Sequence, residues 1–320
     1  MEFCMTLDSA QDPALTFAAD PAADTAATPA EDTVDGRAAG TAAGTGDSGS
    51  TGTSDAATEL AIQARNFSIR NGRHTVIGGI SLDLPIGALL VISGRFASGK
   101  TALLLALAGR LRGFAGTATV FGHPLRGGGG HIRHLSAMAE TPIVNRLDDD
   151  LTVERQLAAA LVLRRPWWKP VVGRKTVVLC LIRVNEVLRL VDARAGALLG
   201  STTAGLPGLT GTDRIADLQP LDRAVLGVTV ALIGRPRLLI VDDVDTLRDT
   251  DDRTRAWAAL LALRMAGWHD LTIAASGQDP KELLEILHRI SAADPALARP
   301  VYQLDLDSDA RIATALTGKA

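Results

Sequence analysis

Cysteine is nearly absent. Cys4 and Cys180 are the only two in the chain, which excludes a disulfide scaffold and any multi-cysteine zinc or iron–sulfur site. Aromatic residues are also scarce, at 3%, so leucine, valine, isoleucine and alanine must fill the core, and an RNA reader that stacks bases on clustered aromatics is disfavoured. No apolar run reaches the roughly 18 to 20 residues that cross a bilayer. The best candidate, Thr176 to Ile182, is bounded by Arg174, Lys175 and Arg183. Lysine stands only at positions 100, 169, 175, 281 and 319 while arginine supplies the other basic residues, a bias that reads as genomic composition. Residues Met1 to Met5 carry Glu2 and no basic stretch, which argues against a secretory signal. The expectation is a protein of the reducing cytoplasm.

What is present is apolar material, at 47% of 320 residues, enough for one large domain or two modest ones. It is unevenly placed. Residues 1–58 are rich in Ala, Asp, Thr, Gly and Ser, show neither a helical nor a strand period, and are expected to be disordered. They hold ten acidic residues and one basic residue, Arg37, a charge of −9 that leaves +6 on the rest of a chain whose total is −3. This acidic tail reads as an undirected linker before a mask or a solubility tag. Residues 59–320 are read as one folded domain.

After Glu59 come short apolar runs. Leu60 to Ile69, Thr75 to Leu84 and Ala88 to Ile92 predict strands, with turns at Asn71-Gly72 and Pro85-Ile86-Gly87. Leucine and alanine then repeat at helical spacing from Thr101 to Leu111. Between the third strand and this helix lies Gly94-Arg95-Phe96-Ala97-Ser98-Gly99-Lys100-Thr101, which fits the Walker A pattern without exception. Such a loop wraps a polyphosphate with successive N–H groups and the positive end of the following helix. Gly94, Ala97, Ser98, Gly99, Lys100 and Thr101 are the expected nucleotide contacts, with Lys100 on the β and γ phosphates and the Thr101 hydroxyl on Mg²⁺. A second apolar strand, Arg237 to Val241, ends in Asp242-Asp243. It would deliver Asp242 as the magnesium carboxylate beside the loop.

At this point the chain resembles the ATP-binding subunit of ABC transporters, from about residue 60 to about residue 300. The resemblance rests on Leu82 to Leu84 entering Gly87, the Walker A, Ala102 to Gly109, Gly116 to Gly122, Leu151-Thr152-Val153-Glu154, and Ala231 to Pro236 leading into the Asp242 strand. It implies an α/β fold of the P-loop NTPase class, with a RecA-like core, an antiparallel β subdomain and a helical subdomain spanning about 145–225. It also implies ATP and Mg as cofactors, and a head-to-tail dimer, with itself or with another ABC ATP-binding subunit, that sandwiches two nucleotides and drives an integral membrane permease. Location would be cytoplasmic, peripheral at the inner face of the membrane.

Several positions depart from the family pattern. Asn71 stands where the family stacks an aromatic on adenine, and Glu140 stands nearest the Q-loop glutamine, a carboxylate able to meet Mg²⁺ or water. The signature sequence aligns with Leu218-Gln219-Pro220-Leu221-Asp222, which lacks both glycines and so impairs backbone approach to an opposing γ-phosphate. The catalytic glutamate becomes Asp243, one methylene shorter, the D-loop aspartate is Asp249, and Gln278 replaces the switch histidine with Ser276 nearby. Glu140, Asp243 and Gln278 are therefore the candidate catalytic residues. The expected function is ATP binding with slow hydrolysis that powers a permease, the rival being an ATP-dependent regulatory or scaffold module that does not hydrolyse.

Three further features have plainer readings. Leu163 to Pro170, with Trp167 and Trp168 among basic residues, resembles an interfacial anchor or a permease contact as much as a surface loop. The glycine run Gly127 to Gly130 before His131 and His134 predicts a flexible loop rather than a metal pair. Leu283 to Ile290 reads as an amphipathic helix packed on the core. The +6 body alone does not suggest nucleic acid as a partner.

Overall fold

The protein is described here by a computed structural model that covers residues 59–317, except 142–143, 165–167, 169–170, 267, 269 and 294–299. The expected tail at 1–58 lies outside the described residues, as does most of the tryptophan stretch, of which Trp168 is described and exposed.

The chain opens with a long hairpin, β1 (Leu60–Asn71) and β2 (His74–Pro85), turning at Gly72 where Asn71 pairs with His74. Strand β3 (Leu89–Ser93) follows, buried at every residue, as its unbroken apolar sequence requires of a strand covered on both faces. It leads through the glycine loop into helix α1 (Lys100–Leu107). Then come β4 (Phe114–Val120), the short β5 (His123–Pro124), helix α2 (Leu125–Leu135) and β6 (Ser136–Met138). Helices α3 (Val153–Leu163), α4 (Arg174–Leu199) and α5 (Pro220–Leu232) form the next stretch. Strand β7 (Leu238–Val241), helix α6 (Thr250–Met265), strand β8 (Thr272–Ser276), helix α7 (Lys281–Ala293) and strands β9 (Val301–Asp305) and β10 (Thr314–Thr317) complete it.

Two sheets result. The first runs β2-β1-β4-β5 and is antiparallel; the second runs β10-β9-β3-β8-β7-β6. In the second, β9, β3, β8, β7 and β6 are parallel and only β10 is antiparallel. This is the α/β architecture expected of a P-loop NTPase, and it places the C-terminal ends of β3, β8 and β7 side by side. Ligands of such sheets bind at that edge.

Three apolar clusters hold the elements. One joins the antiparallel sheet to β3 and α1 through Phe67, Ile80, Leu90 and Leu104. Another covers the opposite face of the parallel sheet with α6, α7 and the end of α4, around Trp257, Leu261 and Leu287. A separate helical cluster packs Leu157, Val177, Cys180, Val184, Leu226 and Val230 from α3, α4 and α5. In α7 the buried positions are Leu283, Ile286, Leu287 and Ile290, the stripe that the amphipathic reading requires.

One expectation is corrected. The glycine run is not a loop: residues 125–135 are helical except for a break at Arg126 and Gly127. Four consecutive glycines disfavour a helix on propensity alone, but burial of Leu125 and Ile132 and the close approach of Gly129 to Gly109 (a Cβ on Gly109 would lie 2.8 Å from the Gly129 carbonyl) hold the segment in place. His131 is in this helix and stacks on His123 with ring centroids 5.3 Å apart.

Candidate functional site

The site begins where β3 ends. At Gly94 the backbone turns with φ 150°, and a side chain there would put its Cβ 2.8 Å from Ser98 Oγ, so only glycine lets the loop fold over itself. Ala97 holds φ 62°, a left-handed conformation that costs a residue with a Cβ about 1 kcal/mol and that the surrounding loop imposes. Lys100 is buried, and its Nζ donates to the carbonyls of Gly94 at 2.6 Å and Arg95 at 2.9 Å. The ammonium thus ties the mouth of the loop together. Ser98 Oγ is buried without a hydrogen-bond partner among the described residues, a polar atom that a phosphate oxygen would satisfy.

Across β8, strand β7 carries Asp242 to the same edge. Ser276 Oγ donates to Asp242 Oδ1 at 2.7 Å and accepts the Asp243 N–H at 2.9 Å, so one hydroxyl at the end of β8 positions both aspartates. Asp243 sits at φ 57°, a left-handed position that aspartate tolerates better than most residues. Burial, followed by the charges of Asp245 and Asp242, pushes its carboxyl above the usual carboxylate range, against the opposing pull of Lys100. Asp245 accepts the Gln278 N–H, while the Gln278 carbonyl accepts the Gly94 N–H at 3.3 Å. The Gln278 backbone is therefore clamped between Asp245 and the glycine loop, with its residue exposed at the rim.

Glu140 is differently placed. Its carboxylate accepts Arg223 Nε at 2.8 Å and Nη2 at 2.6 Å in a fork-to-fork pair, and Arg223 Nη1 reaches Asp149 at 2.6 Å. Arg223 holds the Asp149 carboxyl below its ordinary range, and its own guanidinium is raised by Glu140 first. Both Glu140 oxygens thus accept from Arg223. At the aligned signature, Pro220 occupies the first helical position of α5 behind Leu218 and Gln219. Proline has no N–H to offer a phosphate. The Asp222 carboxyl is pushed up by burial and by Asp213 and Asp252, and Asp249 caps α6 by accepting the Asp251 N–H at 2.8 Å.

Gly99, Lys100, Thr101, Ala97, Ser98, Glu140, Asp242, Asp243 and Gln278 line one cavity of 1210 Å³. Its floor continues between α4, α5 and α6 on Val187, Val228 and Leu260. The donors present suit a nucleotide polyphosphate with Mg²⁺: backbone and ammonium donors for phosphate, and the Thr101 hydroxyl and Asp242 carboxylate as hard oxygen ligands. Asn71 lies on β1 at the hairpin turn, paired with His74.

Two contributors carry no local sequence signal, and a third has a role that the sequence did not show. Arg223 is 83 residues from Glu140. Asp307 accepts the Arg95 N–H of the glycine loop at 2.9 Å across 212 residues and pairs with the Arg95 side chain at 3.4 Å. Ser276, readable only as a possible phosphate donor, proves to be the hydroxyl that positions Asp242.

No protein-family model matches the sequence. Among curated proteins, an ABC transporter ATP-binding protein of Streptomyces coelicolor is 26% identical over 256 residues, covering 77% of this chain and 41% of the relative. A second one from that organism is 28% identical over 232 residues, covering 70% of this chain and 74% of the relative. An aliphatic sulfonates import ATP-binding protein of Rhizobium johnstonii is 26% identical over 245 residues, 77% of each chain. The chain spans about two fifths of the length of the first two curated relatives it matches, 41% and 42%. Among solved structures, cbiO1 of Clostridium perfringens, part of the ABC transporter complex cbiONQ, superposes with a TM-score of 0.56 at 14% identity over 80% of this chain and 87% of that one. Fold, motif order and these similarities together give the domain the P-loop NTPase fold of ABC type and liken it to the ATP-binding proteins of ABC transporters.

Proposed function

We propose that this chain binds Mg-ATP on the loop from Gly94 to Thr101 and hydrolyses it slowly, driving a separate integral membrane permease from the cytoplasmic face. The observation that carries the reading is the convergence of Lys100, Thr101, Asp242, Asp243 and Gln278 on one cavity at the C-terminal edge of the parallel sheet. Bound Mg²⁺ would neutralise phosphate charge. For their part, Lys100 would exchange a loop carbonyl for phosphate oxygens, and Thr101 with Asp242 would hold the metal. Asp243 would orient a water and accept its proton, from a side chain set back by about 1 Å relative to glutamate, a displacement that can lower the rate roughly a hundredfold. Gln278 would donate a neutral hydrogen bond at the γ-phosphate position.

The helical cluster of α3, α4 and α5 would serve as the subdomain that moves with the permease. A second subunit, the same chain or another ABC ATP-binding subunit, would complete the site. Among the described residues no helix is long and apolar enough to cross a membrane, and the curated relatives include import ATP-binding proteins, which supports a separate membrane component.

A second reading, an ATP-dependent regulatory module without turnover, draws on Pro220 at the start of α5 and on Glu140 locked to Arg223. One preparation separates the two. Mg-ATP binding and steady-state turnover are measured on the chain, on Lys100→Ala and on Asp243→Ala. Loss of binding in Lys100→Ala and loss of turnover in Asp243→Ala are the expected results. Binding through Lys100 with no turnover in the parent chain would replace hydrolysis by the regulatory reading, and absence of Mg-ATP binding would sink both.

A further inference from the structure

Helix α1 has cavities at both of its ends. The nucleotide site lies at its N-terminus; at its C-terminus, about 12 Å away by the rise of eight helical residues, lies a second cavity of 550 Å³. Its wall is built from Arg112 after α1, Phe114 at the start of β4, Arg126 and Arg133 at the two ends of α2, and the bare backbone of the glycine run. The nearest hypothetical Cβ atoms on Gly129 and Gly130 would lie 3.6 and 3.9 Å from the Arg133 guanidinium nitrogens, so this guanidinium lies along the glycine backbone. One N–H of Arg133 goes to the Gly109 carbonyl at 3.0 Å, and one of Arg126 to the Phe114 carbonyl at 3.3 Å. These bonds hold both groups in position and leave further donors on each. Arg112 is exposed and makes no hydrogen bond or ion pair among the described residues.

Among the described residues, no carboxylate lines this cavity. Between Asp83 and Glu140 the sequence contains no aspartate or glutamate, while Arg95, Lys100, Arg110, Arg112, Arg126 and Arg133 fall in that interval. Neighbouring Arg110 is held below the ordinary arginine range, by burial first and then by the charges of Arg133 and Arg164. Folded proteins seldom gather guanidinium groups around a concavity with no carboxylate facing them, because each repels the others unless an anion joins them.

We propose that this cavity binds a small molecule carrying two or more phosphate groups, held by Arg112, Arg126 and Arg133. Guanidinium forks match phosphate oxygens in pairs of hydrogen bonds, and three of them call for a compact polyanion. The volume admits a small molecule but not a nucleic-acid duplex or a helix. Phe114 is already engaged, with the Arg126 guanidinium 5.9 Å over its ring centroid and the tilted Phe67 ring at 5.4 Å. The site shares only Leu111 with the Mg-ATP cavity and does not depend on that reading.

The test uses the full chain carrying Lys100→Ala, so that the glycine loop is silenced, and titrates it calorimetrically with inorganic pyrophosphate at low and moderate salt. Saturable binding is expected, weakened by added salt, weaker for inorganic phosphate, and lowered about tenfold or more by Arg112→Ser or Arg126→Gln. Arg112→Ser serves as the structurally silent variant, checked by an unchanged melting temperature. Failure of the Lys100→Ala chain to bind pyrophosphate would overturn the proposal. So would an affinity unchanged from the Lys100→Ala chain in both Arg112→Ser and Arg126→Gln, equal affinity for phosphate and pyrophosphate, or binding of RNA in place of pyrophosphate.

Discussion

At the scale of single residues, the sharpest contrast in the site is between Asp243 and Glu140, two carboxylates with opposite environments. Asp243 faces the cavity, crowded by Asp242 and Asp245, whereas Glu140 is neutralised by Arg223 at hydrogen-bond distance. Arg223 is mostly covered, with 27% of its side chain exposed. Removing it takes the cation from the mostly covered Glu140, so Arg223→Ala is expected to destabilise the fold by about 2 kcal/mol at pH 7. Because Arg223 lowers the Asp149 carboxyl in the folded chain, the stability it contributes is present above the unfolded value and is lost as pH falls through the folded value. Urea unfolding of parent and variant should therefore differ most near neutrality, with the difference shrinking as pH falls through and below the ordinary carboxylate range; a constant difference across pH would refute the electrostatic account. Little of this was legible from the sequence. The loop residues Gly94 to Thr101 are contiguous and announce their geometry by type and spacing, but Arg223 reaches Glu140 only because α5 packs beside β6.

At the scale of elements, the decisive contacts are close backbone approaches that side-chain patterns do not reveal. Gly196 lies within α4, where alanine is ordinarily favoured by about 1 kcal/mol. Here a Cβ would sit 2.5 Å from the backbone of Thr203, because the chain after Gly200 folds back along the helix. Gly196→Ala is therefore expected to destabilise the protein by about 1 to 3 kcal/mol, read as a lower melting temperature, and a gain in stability would show that the return segment is loosely held. The same kind of contact explains α2. A glycine run that composition reads as a loop becomes helix because Gly109 and Gly129 let α1 and α2 touch, and the two cavities then flank α1. By contrast, α7 and β3 follow directly from periodicity and from an unbroken apolar run, since a stripe or a fully buried strand leaves its signature within a few consecutive residues.

At the scale of the whole molecule, the proposed function takes the phosphate loop, the magnesium carboxylate and the base from one chain. The aligned signature begins α5 with a proline, and in the proposed arrangement it serves a second subunit. Turnover per chain should then rise with chain concentration, and Mg-ATP should shift the molar mass measured by light scattering toward a dimer, an effect absent in Lys100→Ala. Turnover independent of concentration, with a monomeric mass in Mg-ATP, would place the whole reaction on one chain and refute the paired site. A signature supplied by a different subunit is distinguished by adding that subunit and watching turnover rise.

The sequence by itself determined the motif-bearing loop, the paired aspartates, the strands and helix on either side of that loop, and the resemblance to ABC ATP-binding subunits. These are encoded in residues adjacent along the chain, where steric and apolar requirements act locally. The tertiary structure alone decided that Ser276 positions Asp242, that Asp307 caps the glycine loop, that Arg223 holds Glu140, and that three arginines surround a cavity behind α1. Each of these depends on side chains far apart in sequence meeting at short range, and hydrogen bonds and ion pairs form only over a few ångströms, so packing had to be known before they could be seen.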